Sequence, residues 1–182
     1  HHADGRTDEL DFAFVGTGYP SRIEFLEAVD YDGATVGLGG QWQSLTADSP
    51  LRPYLLHDPQ HCLDNDQTAD LYRQAAMSAN LYRGRGPKES NLPSLADGWA
   101  MGPREVELGA TGTFFARDPR PEGDELFPML PIITDPGELS DVIAWSRRHP
   151  DERRQAADAA RAAVADRTFS SNAGRLLRSL GV

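Results

Sequence analysis

The sequence predicts an α/β protein: a parallel sheet with helices on both faces and a helical tail at the C-terminus. Three observations predict it. Short apolar runs, several of them ending at or near a glycine, recur along the chain. Segments with apolar residues every three to four positions alternate with those runs, which is the pattern of strand–helix crossovers. The chain then closes with three helical segments in succession.

The elements follow in order. Asp11–Gly16 (DFAFVG) is an apolar run ending in glycine and reads as a buried strand. Pro20–Val29 is a helix, with Ile23, Leu26 and Val29 on one face and Phe25 beside them. Ala34–Leu38 is a second strand. Asp66–Met77 carries Leu71, Tyr72, Ala75 and Ala76 at helical spacing, and Asp64 or Asn65 suits its N-cap. Ala79–Tyr82 is a third strand. Arg83–Gly98 is rich in Gly, Pro, Ser and Asn and reads as a long loop. A helix then opens at Pro103, stops at a glycine and runs into the strand Thr113–Ala116. One helical turn is expected at Glu125–Phe127 and a last strand at Pro131–Thr134. Helices at Gly137–Arg148, Asp151–Asp166 and Ser171–Leu180 complete the chain.

Bulk properties narrow the function. The chain has 182 residues, 39% hydrophobic and 25% charged, which fits one soluble globular domain. Residues 1–10 read as a tail that begins with a tag remnant at His1 and His2, and 11–182 as the domain. The net charge of −10 argues against bulk nucleic-acid or anionic-membrane binding. It leaves room for an anion site built from two or three arginines. The single cysteine, Cys62, cannot form an internal disulfide. No apolar run is long enough to span a bilayer and no signal peptide is visible, so a cytoplasmic location is expected.

Two stretches carry chemistry. In Gly102–Phe115 (GPREVELGATGTFF), Arg104 and Glu107 are spaced i, i+3 and can face one pocket. An arginine there can bind phosphate and a carboxylate can bind a ribose diol. Glu105 competes with Glu107 for the second role; the spacing to Gly112 favours Glu107, which leaves Glu105 solvated. The other stretch is Gly16-Thr17-Gly18-Tyr19-Pro20-Ser21-Arg22, between the first strand and its helix. Its glycines let the backbone approach an anion, the helix N-terminus favours negative charge, and Arg22 adds a full positive charge. It lacks the third glycine of the dinucleotide fingerprint, which weakens an oxidoreductase reading. The plainer alternatives are a strand–helix turn for the glycines and a salt-bridge partner for Arg104. His57 and His61 have ligand spacing, but Pro59 between them opposes a helix, and no metal site is expected. Asp64-Asn65-Asp66 reads as a helix cap.

Together these segments resemble the donor-binding, C-terminal half of a GT-B glycosyltransferase. Within that fold they are most similar to the group of CgeB-like and related actinobacterial or phage glycosyltransferases. The resemblance runs through Phe14–Arg22 with Phe25–Ala28, Gly39-Gly40-Gln41-Trp42, Leu71-Tyr72 followed by Ala75-Ala76 and Asn80-Leu81, Arg104–Asp118 with Pro121–Phe127, and Asp135–Leu139 leading to His149–Arg153 and Arg167–Phe169. It implies a Rossmann-like sheet, one half of the two-domain fold. It implies that Gly16, Thr17, Gly18, Arg22, Trp42, Arg104 and Glu107 bind a nucleoside diphosphate sugar, with no metal required. Tryptophan is more often core, and Trp42 has that alternative. Many retaining members place a second glutamate eight positions before the ribose-binding one; that position is Trp99 here. The resemblance further implies an N-terminal acceptor domain, absent from this chain, so that the chain alone would not catalyse transfer. The acceptor, a protein or a glycan, and the catalytic residue are left open. On this reading an exposed, partly apolar cleft wall runs near Gly16–Tyr19 and Trp42, and the C-terminal helix is loosely anchored. The alternative is a non-catalytic nucleotide- or sugar-binding module on the same fold.

Overall fold

The computed structural model describes residues 6–82 and 98–181. Four strands, β1 (Leu10–Val15), β2 (Val36–Gly39), β3 (Ala75–Asn80) and β4 (Phe114–Arg117), form one parallel sheet in the order β2-β1-β3-β4. The helices are α1 (Pro20–Glu27), α2 (Asn65–Gln74), α3 (Pro103–Thr111), α4 (Pro121–Leu126), α5 (Pro136–Arg148), α6 (Pro150–Ala163) and α7 (Phe169–Ser179). A 3₁₀ turn at Arg52–Tyr54, unmarked in the sequence pattern, lies between β2 and α2. This is the expected Rossmann-like α/β arrangement.

Register explains the two faces. Val36, Phe12, Met77 and Phe114 lie in one row across all four strands. Phe114 packs on Trp145 of α5, so that row faces α5. On the opposite face, Leu71 of α2 and Val15 close around Gly39, and α3 packs on β3 and β4. Strands buried on both sides need continuous rather than alternating apolarity, and β2, β3 and β4 are buried at every residue.

Helix starts follow the chemistry of proline. Pro20, Pro103, Pro121, Pro136 and Pro150 open α1, α3, α4, α5 and α6, where a missing N–H costs nothing. Asp64 caps α2 by accepting from Gln67 N–H at 2.8 Å, and the Gln67 side chain accepts from Asp64 N–H at 3.0 Å, a closed capping box. Gly112 ends α3 at φ 73°, the left-handed cap that lets the chain drop into β4.

Two expectations are corrected. The helix read to Met77 stops at Gln74, and Ala75-Ala76-Met77 open β3, whose end is Asn80 rather than Tyr82. Alanine and methionine favour helix, but these residues sit between β1 and β4, and their pairing and burial outweigh propensity. The fifth strand at Pro131–Thr134 reduces to a single bridge between Ile132 and Arg117. Its partner β4 ends at Arg117, and Pro131 has no N–H to give a ladder. Most of the expected loop Arg83–Gly98 lies outside the described residues.

The tails differ in attachment. Arg6 donates to Gly112 O at 2.7 Å and pairs with Asp158, and Asp8 accepts from buried Arg153 on α6. In contrast α7 buries no residue, and Phe169, Leu176, Leu177 and Leu180 are exposed.

Candidate functional site

The chain leaves β1 for β2 on one side, then crosses to β3 and β4 on the other. The border of β1 and β3 is therefore the switch point, where loops diverge and leave a crevice beyond the strand ends. A cleft of about 570 Å³ lies there. Its walls come from Gly16, Thr17, Tyr19 and Arg22 after β1, Gly40 and Gln41 after β2, Cys62, Leu63, Asn65 and Thr68 at the start of α2, Tyr82 after β3, and Arg104 and Glu107 of α3.

The loop after β1 is fixed by its backbone. Gly16 N–H donates to Gly39 O at 3.0 Å and Gly18 N–H to Gln41 O at 2.7 Å, so the loops after β1 and β2 run together. Gly40 adopts φ 97°, and a Cβ there would lie 2.4 Å from Gly16 O. His57 Nε2 accepts from Gly40 N–H at 3.0 Å, which leaves the ring proton on Nδ1, beside Asp58 O.

The two arginines do different things. Arg22 donates from Nε and Nη2 to Leu81 O, at 3.0 and 2.6 Å, and from Nη1 to Thr17 O at 3.1 Å. It staples the β1 and β3 loops across the switch point. Arg104 reaches the same place from α3: a Cβ on Gly16 would meet Arg104 Nη1 at 3.1 Å and Arg22 Nη1 at 3.3 Å. The Arg104 guanidinium lies over the Phe14 ring at 5.9 Å, and its Nε is buried with no hydrogen-bond partner among the described residues. Two positive charges thus flank a residue without a side chain. Burial pushes the Tyr72 hydroxyl up to about 12, and nearby Arg104 offsets part of that rise.

Glu107 is exposed and lines the cleft one turn from Arg104. Glu105 overturns the expectation that it is solvated. It is fully buried, because its position on α3 turns it inward against β3 and β4. Its Oε2 accepts from Tyr82 Oη at 2.6 Å and from Gly102 N–H at 2.9 Å. Burial raises its pKa, while Tyr82, Gly102 and Arg117 pull the other way.

Gly18 and Trp42 do not line the cleft. Trp42 is 1% exposed, donates from Nε1 to Gly39 O at 2.9 Å and meets Phe14 edge-on. Gly18 lies against that ring, where a Cβ would come within 2.5 Å of it. The expected exposed wall therefore does not include Trp42; the indole is the floor beneath the loop, since its bulk is worth more inside the core than in water. The helix N-termini contribute less than expected, too. Pro20 and Pro103 have no N–H, and Gly102 N–H is taken by Glu105 and Tyr82. Of the lining residues outside the expected set, Tyr82 is legible in the sequence as a strand-end residue on the ligand side, where an ordinary strand-end role is equally open. Asn65 and Thr68 have no signal beyond a helix start.

Asp118, just past β4, accepts from Tyr82 N–H at 2.5 Å. Burial raises its pKa from 3.8 to about 6, against the pull of Tyr82 N–H, Arg120 and Arg22. The folded state therefore holds a proton between about pH 4 and 6 that the unfolded chain has released, and ionised Asp118 opposes folding above that window. The stability advantage of Asp118→Asn over the parent is expected to grow from pH 4 to 6 and to level off above. Urea midpoints at pH 4, 5, 6 and 7 check it, and an advantage that does not change with pH contradicts it.

Among the described residues no group of three His, Cys, Asp or Glu side chains is placed to hold a metal ion. None of their helices is long and apolar enough to cross a membrane. The family described as glycosyl transferase-like matches residues 2–178. The chain belongs to this family. No curated protein matches the chain. The parallel sheet supplies the frame of the cleft, and Arg22, Arg104 and Glu107 place two cations and a carboxylate on its walls.

Proposed function

We propose that this domain is the donor half of a GT-B glycosyltransferase, of the CgeB-like, actinobacterial or phage group, and binds a nucleoside diphosphate sugar in the cleft. The observation that carries the reading is the pair Arg104 and Glu107, both on the cleft and one helical turn apart at the switch point. Arg104 meets the diphosphate, with the charge of Arg22 behind it, and Glu107 meets the ribose diol. Gly16 and Thr17 let the phosphates approach the backbone. Gly18 and Trp42 act from beneath by holding that loop in place. The leaving diphosphate is stabilised by arginine rather than by a divalent metal. An acceptor domain across the cleft brings the acceptor and its activating group, because holding two reactants in register is worth about 7–11 kcal/mol in well-oriented systems. A cytoplasmic setting fits the sugar nucleotide and the exposed thiol of Cys62.

Cys62 makes the test direct, because it is the chain's single cysteine and lines the cleft. UDP or GDP is expected to slow its alkylation saturably, equally well with EDTA present. Unchanged alkylation at millimolar concentrations of both nucleotides overturns the site. A radiolabelled sugar-nucleotide assay tests the division of labour: transfer at ordinary enzyme rates by this chain alone contradicts a separate acceptor domain.

A further inference from the structure

Tyr82 is held at both ends. Its backbone N–H donates to Asp118 beyond β4, and its hydroxyl donates to buried Glu105 on α3. The same hydroxyl accepts from Gly102 N–H, the residue before α3 begins. Arg120, itself buried, lies over the ring at 4.1 Å. Tyr82 also forms part of the cleft wall. Glu105 is one residue from Arg104 and two from Glu107, so whatever fixes Glu105 fixes the start of the helix that presents both. Arg117 sits on the other side of the carboxylate: a Cβ on Gly123 would meet Arg117 Nη1 at 3.0 Å and Glu105 Oε1 at 3.4 Å. The stretch leading to α3 is also tied to α4, where Glu122 accepts from Met101 N–H at 3.0 Å and donates its own N–H to Trp99 O at 3.1 Å, so the latch acts on the last step into the helix. Gly102 has no side chain to cap the helix, and Pro103 has no N–H to tie it.

We propose that Tyr82 and Glu105 form a positioning latch that sets the first turn of α3 and so aims Arg104 and Glu107 into the cleft. The latch acts through those two residues and does not itself touch the phosphates. A buried carboxylate whose Oε2 accepts two hydrogen bonds has few alternative geometries, because breaking either one removes a partner that the dry interior does not replace. This locks the rotation of α3, and a small rotation would swing the long Arg104 side chain away from Gly16. The ligand part of the inference rests on the donor-site reading; the ordering of Arg104 does not.

The test compares Tyr82→Phe, which keeps the ring under Arg120 and removes the hydroxyl, with Glu105→Gln, whose amide oxygen can still accept from Tyr82. Val106→Ala, on the same helix and partly buried, is the control for simple destabilisation. Tyr82→Phe is expected to weaken UDP or GDP binding about five- to tenfold, the loss of one charge-assisted hydrogen bond acting at a distance. Glu105→Gln is expected to stay within about twofold of the parent, and Val106→Ala to lower the melting temperature without changing affinity. In the ligand-free protein, NMR relaxation of the Arg104 Nε–H is expected to show greater mobility in Tyr82→Phe only. Parent-like Arg104 mobility and parent-like affinity in Tyr82→Phe overturn the latch. So does an equal loss of affinity in Val106→Ala. If the parent binds neither nucleotide, the donor reading fails and the Arg104 measurement alone decides the latch.

Discussion

Replacing Arg104 with alanine is expected to weaken nucleoside diphosphate binding by about ten- to a hundredfold. A charge-assisted hydrogen bond is worth roughly 1.5–3 kcal/mol, and each 1.4 kcal/mol is tenfold in affinity. Arg104 is the sharper choice of the two arginines. Arg22 is engaged with Leu81 O and Thr17 O, so its removal would disturb the loops as well as the charge. Arg104 Nε has no such engagement among the described residues, and the side chain meets Phe14 and Tyr72. The companion change, Glu107→Ala, is expected to cost a similar factor for UDP or GDP and nothing for a 2′,3′-dideoxy nucleotide, which has no diol to offer. Calorimetry with the two variants and the two ligand types separates the roles. If the dideoxy analogue loses as much affinity as the natural nucleotide in Glu107→Ala, the carboxylate has a structural role and the ribose assignment is wrong.

Gly40→Ala is expected to damage both fold and site. Two effects add. Its φ of 97° is one that side chains rarely adopt, and the new methyl would lie 2.4 Å from Gly16 O and 2.9 Å from Gly16 C. That neighbour is backbone, so relief requires the loop after β1 to move. Backbone strain of about 1–3 kcal/mol and overpacking of similar size give a loss of roughly 2–5 kcal/mol. For a domain of this length that lowers the melting temperature by about 5–15 °C. Gly16 is the residue over which both arginines close, so nucleotide protection of Cys62 should vanish in the variant even where it is fully folded. Gly33→Ala is the control: its φ is also positive, at 69°, but nothing lies within 4 Å of a Cβ there. Equal loss of stability in both variants would mean that φ alone matters and that the approach to Gly16 does not.

Much of the architecture was legible without coordinates. The strand at Asp11–Gly16, the helix after Pro20, the cap at Asp64 and the glycine stop before Phe114 are local chemistry: apolar runs, proline at a first turn, an acid before a helix, a glycine at positive φ. Such signals survive in a sequence because each is decided by a few neighbouring residues. The pairing of Arg104 with Glu107 is of the same kind, since one helical turn fixes their spacing.

Other features belong to the tertiary structure. Ala75–Met77 is strand because β1 and β4 flank it, and no residue within that stretch says so. The segment Pro131–Thr134 is not a strand because its neighbour ends at Arg117. Trp42 lies under the loop and Glu105 inside the core because the packing of α3 and of the β1 loop decides which way each points. Glu105 and Glu107 are alike in type and two positions apart, yet one is buried against Tyr82 and the other faces the cleft. Composition, charge and spacing determined that this chain would be a parallel α/β domain with an arginine and a carboxylate on one helical face. That the other carboxylate is buried, over which glycine the arginines close and beside which tyrosine they lie was decided only when 3.6-residue periodicity met a particular partner surface, and that surface is made by residues far away in the chain.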